Sequence, residues 1–203
     1  MRKSLTLCFF IFSFATLLVA QNGATYSVQV NTENERITAH VLNREASFSP
    51  VEFLLYTWYS HNQILTTQGG FSGKILHGSY KNEYPNHNLK EQGEYRMGLK
   101  EGRWNSWYDN GALSEITHWR RGVKHGKFIL FNELGERMIE ANFRKGRLDG
   151  KMYSFEGDQV VSEKRYRNGD AVVKVKKSKK GREEIEKEEI KEKDDVPANG
   201  MQQ

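Results

Sequence analysis

Cysteine occurs once in the 203 residues, at Cys8, and proline three times. Cys8 sits in an apolar run that reads as a removable leader, so the processed chain is expected to hold no thiol. Disulfides, thiolate metal sites and cysteine nucleophiles are excluded with it. Hydrophobic residues make up only 37% of the chain, and together with 18 glycines and 12% aromatics this suits a turn-rich β protein better than a helical bundle, which would use more Leu and Ala. A strong charge of either sign is also missing. The formal excess is +5, and Arg2 and Lys3 of the leader supply two of those positives. So mild an excess, with no concentrated basic face, gives no ground for nucleic-acid binding.

Catalytic patterns are absent too. There is no Gly-x-Ser-x-Gly elbow, and no glycine loop closes with the Lys-Ser/Thr pair that a phosphate site needs. The six histidines (40, 61, 77, 87, 118 and 125) never stand in a His-x-x-x-His arrangement, and a zinc or copper site needs several ligands converging on one point. The expectation is a non-enzymatic chain with no catalytic, cofactor-binding or metal-binding residues.

What is present is a repeat. An aromatic residue, a Gly three places on and a Gly four places later recur as Tyr95/Gly98/Gly102, Trp119/Gly122/Gly126 and Phe143/Gly146/Gly150, closing with Tyr166/Gly169. The period is 24 residues, twice, then 23. Tyr80, Trp104, Phe128 and Met152 keep the same phase. Self-similarity at this period marks an array in which each unit packs on its neighbours.

Turn chemistry divides each unit into two strands. Asn110-Gly111 stands between aromatic-rich runs and predicts a type I′ hairpin turn, while Gly122 and Gly126 supply the reversal into the next unit. The fold expected is all-β, an elongated antiparallel meander of repeated hairpins. The structural glycines are Gly98, Gly102, Gly122, Gly126, Gly146 and Gly150, held by positive φ or by close approach of backbone.

Four segments are expected. Residues 1–20 read as a secretory signal, with a basic start, a run of about 15 apolar residues too short to span a bilayer, and Ala20 at the cut. Residues 21–50 contain two alternating stretches, Tyr26–Val30 and Ile37–Val41, that predict a capping hairpin. Residues 51–173 form the repeat domain, its first unit, residues 51–70, degenerate, with Tyr56 standing 24 residues before Tyr80. Residues 174–203 pass from a basic to an acidic block without an aromatic and predict a disordered or partly helical tail.

Over about residues 56–173, the pattern of aromatic, Gly, Gly, aromatic pair and Asn-Gly resembles the second MORN-repeat family, which includes bacterial proteins labelled YwqK-like antitoxins. The resemblance implies a MORN-like β array serving as a scaffold or binding module. The signal implies a secreted or periplasmic location, with the membrane met only during export.

The aromatics are the candidate binding set. Most are expected to form the packed face of the ribbon, but adjacent pairs such as Trp107 and Tyr108 cannot both point inward on a regular strand. Trp107, whose place is taken by Phe131 and Phe155 in later units, is expected in the core. Tyr108, whose counterparts are Tyr84 and Asn132, is expected to face outward. Tyr84, Trp104, Tyr108 and Trp119 make up the expected stripe. Its expected ligand is a protein, with a cell-wall polysaccharide as the alternative.

Overall fold

The computed structural model describes residues 24–172. The segments expected to be a leader, residues 1–20, and a charged tail, residues 174–203, lie outside the described residues. Fourteen strands make up what is described, and no helix occurs among these residues. Two hairpins come first: β1 (Thr25–Asn31) with β2 (Arg36–Leu42), then β3 (Leu55–Ser60) with β4 (Gln63–Gln68). The array follows as β5 (Lys74–Glu83), β6 (Leu89–Arg96), β7 (Leu99–Trp107), β8 (Leu113–Arg120), β9 (Val123–Phe131) and β10 (Arg137–Arg144). It continues through β11 (Arg147–Leu148), β12 (Gly150–Glu156), β13 (Gln159–Arg167) and β14 (Asp170–Ala171). Each strand pairs antiparallel with its neighbour in an open meander ordered β1-β2-β5-β6-β7-β8-β9-β10-β12-β13-β14.

The capping hairpin joins the array directly. Ile37, Ala39 and Val41 alternate to one buried face of β2, and that strand pairs with β5 through Ala39–Tyr80 and Val41–Leu76. The degenerate unit expected over residues 51–70 departs from the meander. It is a hairpin, but β3 meets β5 only at Trp58–Ile75 and Tyr59–Lys74, because β2 already holds the rest of that strand edge. Gly73 permits the crossing: a Cβ there would stand 2.4 Å from the Tyr59 carbonyl oxygen and 2.7 Å from the Trp58 ring.

The two turns of a unit differ from expectation in type. At Asp109-Asn110-Gly111 only the glycine has positive φ (84°), and Tyr108 N–H donates to the Ala112 carbonyl while Gly111 N–H donates to that of Tyr108. This is a type I turn closed by a left-handed glycine, not type I′. The type I′ geometry lies at the opposite end of the hairpins, at Met97-Gly98, Arg121-Gly122, Lys145-Gly146 and Asn168-Gly169, where both residues have positive φ. Here tertiary bonding outweighs the local cost of left-handed Met, Arg and Lys. The glycine N–H at 98, 122, 146 and 169 donates to the carbonyl of Leu76, Lys100, Lys124 and Leu148 in the unit before, at 2.7 to 2.9 Å. One edge of the ribbon is thereby tied turn to turn.

The packed face alternates large and small. Tyr80 stands opposite Gly93, Trp104 opposite Thr117, and Phe128 opposite Ala141. A Cβ on Gly93 would lie 2.3 Å from the Trp104 indole, so the small partner is what lets the large ring lie flat on the sheet. Tyr80, Tyr95 and Trp104 form an aromatic knot with ring centroids 4.9 to 5.6 Å apart, continuous with Val28, Val30 and Leu76. Beyond Thr117 the same face is only half-buried except at Ala141.

Candidate functional site

The expected stripe of Tyr84, Trp104, Tyr108 and Trp119 is not one surface. Trp104 is 2% exposed and belongs to the core, which corrects its place in the stripe. Regular pairing carries β7 from Trp104–Thr117 to Asn105–Ile116, so Trp104 shares the packed face with Thr117, and its indole N–H donates to the Glu94 carbonyl at 3.2 Å. Trp119 is half-buried on that same face, packed against the core, with Lys100 5.4 Å and Lys124 5.7 Å from its ring.

Tyr84 and Tyr108 lie at the turn edge and are also half-buried. The Tyr84 hydroxyl donates to the carbonyl of Trp107 at 2.9 Å and the Tyr108 hydroxyl to that of Phe131 at 2.8 Å. Two residues further on, the Asn86 amide donates to the carbonyl of Asp109 at 2.8 Å and the Asn110 amide to that of Glu133 at 3.2 Å. Each Tyr-x-Asn turn therefore ties itself to the next unit. Burial raises the Tyr84 phenol above its ordinary value, so it stays a proton donor at neutral pH.

The core assignment of Trp107 also changes. It is half-buried, three residues beyond Trp104, where the register with β8 skips one residue: Ser106 pairs with Glu115 and Trp107 with Leu113, so the extra residue lies on β8 and alternation along β7 turns Trp107 to the opposite face. Phe131 and Phe155 repeat it, and Leu113, Arg137 and Val160 are their paired neighbours: Trp107–Leu113, Phe131–Arg137, Phe155–Val160. The result is a second aromatic row on the face away from the packed core.

Phe131, the middle member of the row, lines a cleft of about 440 Å³ between the β9–β10 and β12–β13 turns, with Ile129, Leu134, Arg137, Gly157 and Asp158 among the other walls. The Arg137 guanidinium lies 4.0 Å from the centre of the Phe155 ring and pairs with Glu140 at 2.8 Å. Lys127 reaches the other oxygen of that carboxylate at 3.0 Å. The hydrogen bond from Lys127, opposed by partial burial and aided by Arg137, holds the Glu140 carboxyl below its ordinary value.

The structural glycines separate into two kinds. Gly98, Gly122 and Gly146 combine positive φ with close neighbours: a Cβ would meet Ile75 at 2.8 Å, Leu99 at 3.0 Å and Val123 at 2.9 Å. Gly102 and Gly150 have positive φ with nothing within 4 Å, and Gly126 has φ of 96° with only His118 in ordinary contact at 3.5 Å. For these three, backbone conformation is the requirement.

Sequence reasoning did not single out Phe131, Arg137 and Phe155 as a surface. The signal was present in the shared 24-residue phase of Trp107, Phe131 and Phe155, and of Leu113 and Arg137. Among the described residues no three His, Cys, Asp or Glu side chains converge as metal ligands would. No protein-family model matches the chain, and no curated protein matches it.

Proposed function

We propose that this chain is an exported, non-enzymatic repeat module of MORN type that binds another protein. The observation that carries this reading is the row Trp107–Phe131–Phe155, three in-phase aromatics held half-exposed on the face away from the core, with Phe131 lining a cleft. Aromatic and Arg side chains at the centre of a contact supply most of its binding energy. A polysaccharide binder needs open ring faces for sugars to stack on. Arg137 covers Phe155, and Lys100 and Lys124 lie over Trp119. A protein ligand therefore fits the surface better than a glycan.

The test compares two tryptophans of the same strand. Trp107→Ala is expected to weaken capture of the partner by about 2 kcal/mol while leaving most of the unfolding midpoint intact. Trp104→Ala is expected to cost about 3 to 5 kcal/mol of folding stability. Binding that falls only as far as each variant unfolds would remove the row as a binding surface.

A further inference from the structure

The Tyr-x-Asn tie is present at two successive turns and absent at the third. Tyr84 and Asn86 hold the first, Tyr108 and Asn110 the second; 24 residues on stand Asn132 and Leu134. Asn132 is too short to span to the next unit and turns back on its own loop. Its Oδ1 accepts from the N–H groups of Leu134 and Glu136, and its amide donates to the Glu136 carboxylate at 2.7 Å. Leu134 has no donor to offer and is 83% exposed. Phe155 and Gly157 occupy the positions whose carbonyls, at Trp107 and Asp109 and again at Phe131 and Glu133, accept the phenol and the amide. The cleft opens at this interval, with Leu134 and Gly157 among its walls.

Charge defines what can enter. Glu136 and Asp158 line the cleft, Glu133 and Glu156 flank them, and all four are exposed. Its one cation, Arg137, is already paired with Glu140 and stacked on Phe155. An apolar floor of Ile129 and Phe131 under an acidic rim is complementary to an aromatic side chain carried on a basic segment.

We propose that this cleft receives a tyrosine side chain from a partner protein, presented on a segment flanked by Lys or Arg, which supplies from outside the phenol that Tyr84 and Tyr108 supply within the chain. The ring lies against Phe131 and Ile129, and its hydroxyl donates to the Phe155 carbonyl. The inference rests on the protein-binding reading above and names the side chain that reading leaves open.

The test uses the full chain and a synthetic peptide, acetyl-Gly-Lys-Lys-Tyr-Gly-Asn-Lys-Lys-Gly-amide, followed by amide chemical shifts. Saturable shifts centred on Ile129, Phe131, Leu134 and Arg137 are expected, weakening with added salt because the rim is solvent-exposed. Replacing the peptide's Tyr by Phe is expected to weaken binding roughly fivefold, the loss of one net hydrogen bond. Replacing its lysines by glutamates is expected to abolish binding.

Asn132→Tyr supplies the missing phenol from within, and is expected to raise the melting temperature and block the peptide. Peptide binding that survives in folded Asn132→Tyr, or that is indifferent to Tyr against Phe, would overturn the proposal. So would shifts located away from the cleft. If Asn132→Tyr keeps capture of the native partner while Trp107→Ala loses it, the tyrosine inference falls and the binding row stands. If both variants keep full capture, the row falls as well.

Discussion

Glycine at 102, 126 and 150 illustrates how little room and how much conformation can matter at one residue. A side chain at Gly126 would meet nothing nearer than His118 at 3.5 Å, yet φ is 96°, a region L-residues avoid. Gly126→Ala is therefore expected to destabilise by about 1 to 3 kcal/mol of backbone strain, offset only in part by the roughly 0.4 to 1 kcal/mol that alanine gains from a less flexible unfolded chain. Gly70→Ala is the control, since that glycine has neither a close neighbour nor a positive φ. Equal, small shifts of the urea midpoint for both would show that the φ of Gly126 is not what selects glycine. The converse substitution is at Lys145, exposed and left-handed at φ 53°. Asn tolerates that region, so Lys145→Asn is expected to raise the midpoint by a fraction of the roughly 1 kcal/mol the left-handed conformation costs.

At the scale of the hairpin, both ends are tied, by glycine N–H groups on one edge and by Tyr-x-Asn turns on the other. Tyr108→Phe removes one such tie and is expected to cost about 1 kcal/mol, whereas Asn132→Asp, outside the pattern, severs no bond between units. The capping hairpin is joined by charge as well. Glu35 accepts from Asn82 and from Lys90, both at 2.8 Å. Burial pushes its carboxyl up, but those two hydrogen bonds and the Lys90 charge outweigh it and hold the value below the ordinary one. A depressed carboxyl stabilises the fold in full above its unfolded value of about 4.3, and that contribution is lost as pH falls through the lowered value. Glu35→Gln is thus expected to narrow the difference in urea midpoint between pH 7 and pH 3. An unchanged difference would mean that this carboxylate does not contribute.

These elements also show what was legible in advance. The phases of Tyr95, Gly98 and Gly102 and of their successors placed the repeated strands and turns, because a period of 24 residues is independent of which way any side chain points. For the same reason it was silent on faces. Trp104 and Trp107 recur equally well, and strand alternation places them on opposite sides without saying which side packs. Gly93 was the missing cue, since only a ring lying across the sheet needs a neighbour without a Cβ. Asn110-Gly111 misled on turn type because Asn uses its side chain there, its Oδ1 accepting from Ala112 N–H at 2.8 Å, instead of adopting positive φ.

Across the whole described domain, burial is uneven, and that has a consequence for dynamics. The largest fully buried side chains gather where the capping hairpin, the β3–β4 hairpin and the first units meet: Val41, Tyr56, Ile75, Leu76 and, one unit on, Thr117. Past Ala141 no described residue is buried, and most of β13 is exposed, including Val160 and Val161. In an array each unit is stabilised by its neighbours, so the last unit, with a neighbour on one side and half a packed face, opens at the lowest free energy. Amide hydrogen exchange is therefore expected to be slowest in β2 and β5 to β8, intermediate in β9 and β10, and fastest in β12 and β13. The same gradient predicts that Tyr166→Ala accelerates exchange in β12 and β13 and leaves β5 to β7 unchanged, whereas Trp104→Ala accelerates exchange throughout. Uniform protection from β5 to β13 would show that the domain opens as one cooperative unit, and the nearest-neighbour account would fail.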